Sequence, residues 1–113
     1  KLKSCQKRKI HQTLNILHYL EHAYKYEGHK WIPPSIIAEK CSKQSAGFTR
    51  SSVGGLLKRW RVAGIIEAQL QKGASNSYHY RLNPQGLRGL NISEFVYKWN
   101  TMSYAERIAF TAK

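Results

Sequence analysis

"SSVGGLLKRWRVAGIIEAQLQKGASNSYHYRL", residues 51–82, changes its hydrophobic period halfway along. Up to Gly64 the apolar residues Val53, Leu56, Leu57 and Trp60 recur at the three- and four-residue steps of one buried helix face. Thr49 is placed as the N-cap, Phe48 and Val53 are spaced as the halves of a hydrophobic staple, and Gly64 is the expected stop. From Ile66 the period becomes two. Ile66, Ala68 and Leu70 alternate with polar residues, "KGASNS" supplies a small polar tip, and Tyr78, Tyr80 and Leu82 alternate again, which predicts a β-hairpin. Gly54 and Gly55 sit side by side inside the helix, where two glycines cost about 2 kcal/mol relative to alanines.

Working outward, the stripe Ile10, Leu14, Leu17, Leu20 and Tyr24 predicts a first helix from about Gln6 to Tyr26, ended by Gly28. Trp31-Ile32 fits a very short strand, and Pro34 suits the first position of a short second helix carrying Ile36, Ile37 and Cys41. "QSAG" is a turn. After the hairpin, Asn83-Pro84 and the linker "QGLRGL" lead to a final helical segment, "SEFVYKWNTMSYAERIAF", with a capping box at Ser103 and Glu106 and a break near Asn100 to Ser103. The expected class is mostly α with a small β-hairpin (α+β). Residues 1–90 form the main unit, and 91–113 a C-terminal helical extension for dimerisation or packing.

The chain has 113 residues, enough for one core without disulfide or metal support. It begins at Lys1 and its one methionine is Met102, which fits a fragment or a trimmed chain. Nineteen Lys and Arg against six acids leave a formal charge of +13, which favours a polyanionic partner, nucleic acid ahead of an anionic membrane surface. No apolar run is long enough to span a membrane and no signal peptide is written, so the expected location is intracellular, cytoplasmic or nucleoid-associated. Cys5 and Cys41 lie far apart in sequence, which suits a reducing compartment, and Cys41 reads as a small core residue. The acids are all glutamates and do not cluster, so the paired carboxylates of a metal-dependent nuclease have no source. From Lys40 to Ser93 nine basic residues accompany the single acid Glu67.

At "IPPSIIAEKCSKQSAGFTRSSVGGLLKRWRVAGIIEAQLQKGASNSYHYRLNPQG" the chain resembles the winged helix-turn-helix DNA-binding superfamily, over roughly residues 10 to 86. The resemblance implies that the third helix enters the major groove of duplex DNA while the hairpin wing meets the backbone or adjacent minor groove. The tip also looks like the wing of the linker-histone globular domain. At 100° per residue, the face opposite Val53, Leu57, Trp60 and Gly64 carries Ser51, Gly55, Lys58 and Val62, flanked by Ser52, Gly54 and Arg59. An outward glycine lets backbone approach base edges or phosphates, and the serines and cations around it offer donors to both. The expected DNA-binding residues are Arg50, Ser51, Ser52, Gly55, Lys58, Arg59 and Arg61 on the helix, with Lys72, Ser75, Asn76 and Ser77 at the wing.

Other chemistries find less support. His18 and His22 have metal-ligand spacing on a helix but no third ligand nearby, so no metal or cofactor is expected. Trp31, Trp60, Tyr78 and Tyr80 fall on buried stripes and read as core. No nucleophile elbow or oxyanion motif accompanies the cysteines, so the chain does not read as an enzyme. A sequence-specific transcription regulator is the leading expectation. The alternatives are the DNA-binding domain of a plasmid or viral replication initiator or partition protein, an architectural shape-reading DNA binder, and a winged helix used for protein contacts. Phe95, Val96 and Trp99, then Tyr104, Ile108 and Phe110, form two apolar strips, more than a small domain buries, so a homodimer is expected.

Overall fold

Tertiary packing decides which residues of the first helix turn inward. The computed structural model describes residues 4–42, 50–71 and 77–111. In α1 (Ser4–Tyr26) the buried residues among those described are Gln12, Thr13, Ile16, Leu17, Leu20 and Ala23, while Ile10, Leu14 and Tyr24 of the predicted stripe lie at its edges. Thr13 turns inward because its Oγ1 accepts a hydrogen bond, 3.3 Å, from Trp60 Nε1. Gly28, at φ +73°, ends the helix as expected, and the His29 amide donates back to the Tyr24 carbonyl.

Ile32 is a bridge residue rather than a strand: it exchanges two backbone hydrogen bonds of 2.8 Å with Tyr80. Pro34 opens α2 (Pro34–Ser42), which buries Ile37 and Cys41. The core face of α3 (Arg50–Val62) is Val53, Leu57 and Trp60. Phe48 and Thr49, expected at its start, lie outside the described residues. Its end is a Schellman closure: the Gly64 amide donates to Arg61, the Ile65 amide to Trp60, and Gly64 takes φ +91°.

The hairpin is β1 (Ile66–Gln71) paired antiparallel with β2 (Ser77–Leu82), with Ile66 opposite Leu82, Ala68 opposite Tyr80 and Leu70 opposite Tyr78. The buried face fades along the ladder. Ile66 and Leu82 are core, but Leu70 and Tyr78 are 42% and 44% exposed, because the strands run past the helices that cover their base. Tyr78 is therefore not a core residue. Trp31 is only half-buried, with the Arg81 guanidinium 4.2 Å over its ring.

A single 3-10 turn, Pro84–Leu87, folds the chain back against the end of α3. A Cβ on Gly86 would run into the Gly64 carbonyl, so this glycine is required by close approach. The final segment is two helices, α4 (Ile92–Thr101) and α5 (Tyr104–Thr111), parted at Met102. Reciprocal capping boxes open both, Asn91 with Glu94 and Ser103 with Glu106. Ile92, Phe95, Val96 and Trp99 join the same core as α1 and α3, so the extension drawn at residue 91 is, through α4, a packing element of that core. Trp60, Phe95 and Trp99 form its aromatic centre, and Phe110 of α5 packs edge-on against the latter two. Among the described residues the architecture is five α-helices and one two-stranded antiparallel hairpin, an α+β arrangement dominated by helix. None of these helices is long and apolar enough to cross a membrane.

Candidate nucleic-acid interface

Because Val53, Leu57 and Trp60 bind α3 to the core, its opposite side is fixed as Gly55, Lys58, Arg59 and Val62, all exposed. Ser52 lies at the edge of this face, half-buried. The face is open at both glycines. Among the described residues a Cβ built on Gly54 or on Gly55 meets nothing within 4 Å, and neither glycine has positive φ, so neither packing against those residues nor backbone conformation requires them.

Charge around this face is one-sided. Glu21 pairs with His18 and Lys25, Glu27 with His22 and Lys30, and Glu67 with Arg81 at 3.5 Å. Glu94 and Glu106 close capping boxes, and the Ser103 hydrogen bonds hold the Glu106 carboxyl below its usual range. Among the described residues, no ion pair engages Lys58, Arg59 or Arg61.

Of the expected binding residues, Ser52, Gly55, Lys58 and Arg59 fall together. Arg61 does not. It turns toward the hairpin, its guanidinium 5.1 Å from the Tyr78 ring, which joins the end of α3 to the exposed outer half of β2. Arg50 and Ser51 are on α3 and Ser77 is on β2 by backbone, but their side chains lie outside the described residues. Lys72, Ser75 and Asn76 lie outside them altogether. Arg81 is held between Glu67, the His29 carbonyl and the Trp31 ring, as a brace for the sheet.

Two grooves meet at Gly55. One, about 340 Å³, runs between α1 and α3 past Gln12 and Leu56. The other, about 460 Å³, runs between α3 and α5 and was not foreseen from sequence. Its α3 wall is Gly55, Lys58, Arg59 and Val62; its α5 wall is Tyr104, Arg107, Ile108 and Thr111, with Trp99 at the junction. The expected apolar strip of the last helix is thus split. Phe110 is spent on the core, while Tyr104 and Ile108 face this groove. Among the described residues no group of three or more His, Cys, Asp or Glu could hold a metal ion. Compared with protein-family models, with curated proteins and with solved structures, the chain matches none.

Proposed function

We propose that the chain is a winged helix-turn-helix protein that binds double-stranded DNA through α3, acting as a sequence-specific transcription regulator and not as an enzyme. The observation that carries this is the face at Gly55: a helix keeps two glycines that no contact with the described residues requires, beside cations with no described ionic partner. A backbone that must come close to base edges or phosphates supplies the missing reason. The hairpin, tied to α3 by Arg61 and Tyr78, would lie along the flanking backbone as the wing. Duplex binding followed by fluorescence anisotropy tests it. Neutralising about five to eight phosphates gives a log–log salt slope of about −4.5 to −7, and a slope near zero would overturn the proposal. Lys58→Ala or Arg59→Ala should cost about 1–3 kcal/mol where the residue reads a base, with preference relaxed at that position only. Gly55→Leu should remove binding while leaving the circular dichroism unchanged.

A groove whose described lining is uncharged favours pairing of two copies. A groove of about 540 Å³ between α1 and α4 is lined, among the described residues, by Ile10, Leu14, Ser93, Val96, Tyr97, Asn100 and Thr101, none of them charged. On a chain of formal charge +13 that is where a second copy approaches with least repulsion. Ile10 and Leu14 lie on the side of α1 away from Gln12, which lines the groove toward α3, so pairing here leaves α3 uncovered. Two such helices would address half-sites about 10 base pairs, or a multiple, apart. Sedimentation equilibrium at tens of micromolar should give a dimer that Tyr97→Glu converts to monomer. A monomeric wild type would remove this part of the proposal.

A further inference from the structure

We infer that the groove between α3 and α5 is a docking site for an acidic amphipathic helix of a partner protein. Its two walls have the same spacing. Residues 55, 58, 59 and 62 on α3 and 104, 107, 108 and 111 on α5 each stand at i, i+3, i+4 and i+7, so each helix offers the groove one stripe two turns long. A trough between two such stripes is the seat into which a third helix packs, and the bare Gly55 lets its backbone come close.

The surface is apolar and unfilled. Val62 is 73% exposed, Tyr104 80% and Ile108 50%, and α5 buries no residue completely; Phe110 and Arg107 hold it, the latter donating to the Trp99 carbonyl at 3.0 Å. A small-molecule pocket encloses most of its ligand, which walls this exposed cannot do, whereas a helix laid along them covers both.

Charge selects the class of partner. Lys58, Arg59 and Arg107 rim the groove, none of them in an ion pair among the described residues. A second copy of the chain would bring a further charge of +13 to that rim, with Glu106 of its α5 offset by the adjacent Arg107. A helix with a leucine-like stripe flanked by carboxylates meets both the apolar floor and the rim. Since Gly55, Lys58 and Arg59 also belong to the face assigned to DNA, the docked helix and the duplex would exclude one another; that consequence rests on the DNA reading, the docking itself does not.

The test uses the full chain and two fluorescein-labelled synthetic peptides of about 18 residues, long enough to hold helix. One has leucines at i, i+3, i+4 and i+7, glutamates only beside that stripe and alanines at the remaining positions; the other has the same composition with the leucines spread around all faces. The striped peptide should bind at least about tenfold more tightly. Ile108→Glu on one wall and Val62→Glu on the other should each weaken it by about tenfold or more with the circular dichroism preserved, while Tyr26→Glu at the exposed end of α1 leaves it unchanged. Equal binding of the two peptides, or retention of affinity in both wall variants, would overturn the inference. No nucleic acid enters this assay, so its failure leaves the DNA reading standing, and failure of duplex binding leaves the docking standing.

Discussion

Gly55 and Gly86 are the same residue type under opposite constraints. At Gly54 and Gly55 a methyl group has open space and an ordinary helical backbone to join, so Ala at either position should stabilise the fold by about 1 kcal/mol. Thermal unfolding should rise by a few degrees, and a fall would mean that the glycines serve the fold after all. At Gly86 the methyl group meets the Gly64 carbonyl in a backbone-to-backbone contact that no side chain can relieve. Gly86→Ala should lower stability by about 1–3 kcal/mol in denaturant titration. Cys41 adds a chemical probe: burial pushes its thiol up to about 11, so at neutral pH it is neutral and shielded. In a Cys5→Ser variant, iodoacetamide should label the denatured chain quickly and the native chain hardly at all. Rapid native labelling would show that α2 opens.

At the level of elements, α5 is the piece held most lightly. Its capping box is strongest with the Glu106 side chain as a carboxylate, and the Ser103 hydrogen bonds lower that group's pKa in the folded helix. A lowered folded value means that the stabilisation is present above the unfolded pKa and is lost as pH falls through the folded one. The first turn of α5 should therefore fray below the ordinary carboxylate range while the rest of the molecule stays folded, visible as loss of the Ser103 and Glu106 amide shifts in a pH titration by NMR. Glu106→Gln, which keeps an acceptor without the charge, should make that response flat. The Ser103 and Glu106 box was legible in the sequence because capping chemistry is local, and so was the hairpin, because a period of two followed by a small polar tip has few other solutions. The course of α5 across α3 was not. It depends on Phe110 reaching Phe95 and Trp99, a contact between positions that no periodicity relates. Tyr78 was misplaced for a similar reason: alternation tells which face of a strand a residue takes, not how far along that face the covering helices extend. Of the candidate site, the outward face of α3 followed from the helical wheel alone, whereas its second wall required the tertiary fold.

For the whole molecule, the decisive fact is that α4 completes the core. Ending the chain after Leu90 removes Ile92, Phe95, Val96 and Trp99, each buried and each contributing about 2–5 kcal/mol, a combined loss as large as the roughly 5–15 kcal/mol by which domains are held folded. The truncated chain should lose its dispersed proton spectrum and unfold without a cooperative transition. A folded remnant would mean that residues 1–90 stand alone.

Trp60 on α3 and Trp99 on α4 hold their ring centroids 6.0 Å apart at an interplanar angle of 55°. Two indoles so near and so skewed share their ultraviolet excitation, and a shared excitation in a chiral arrangement splits into a circular-dichroism band pair of opposite sign. The pair reports distance and angle between two helices rather than the amount of helix. It should therefore vanish when α4 lifts from α3 even if every helix persists, giving the molecule a label-free optical gauge of whether α4 is seated on the core.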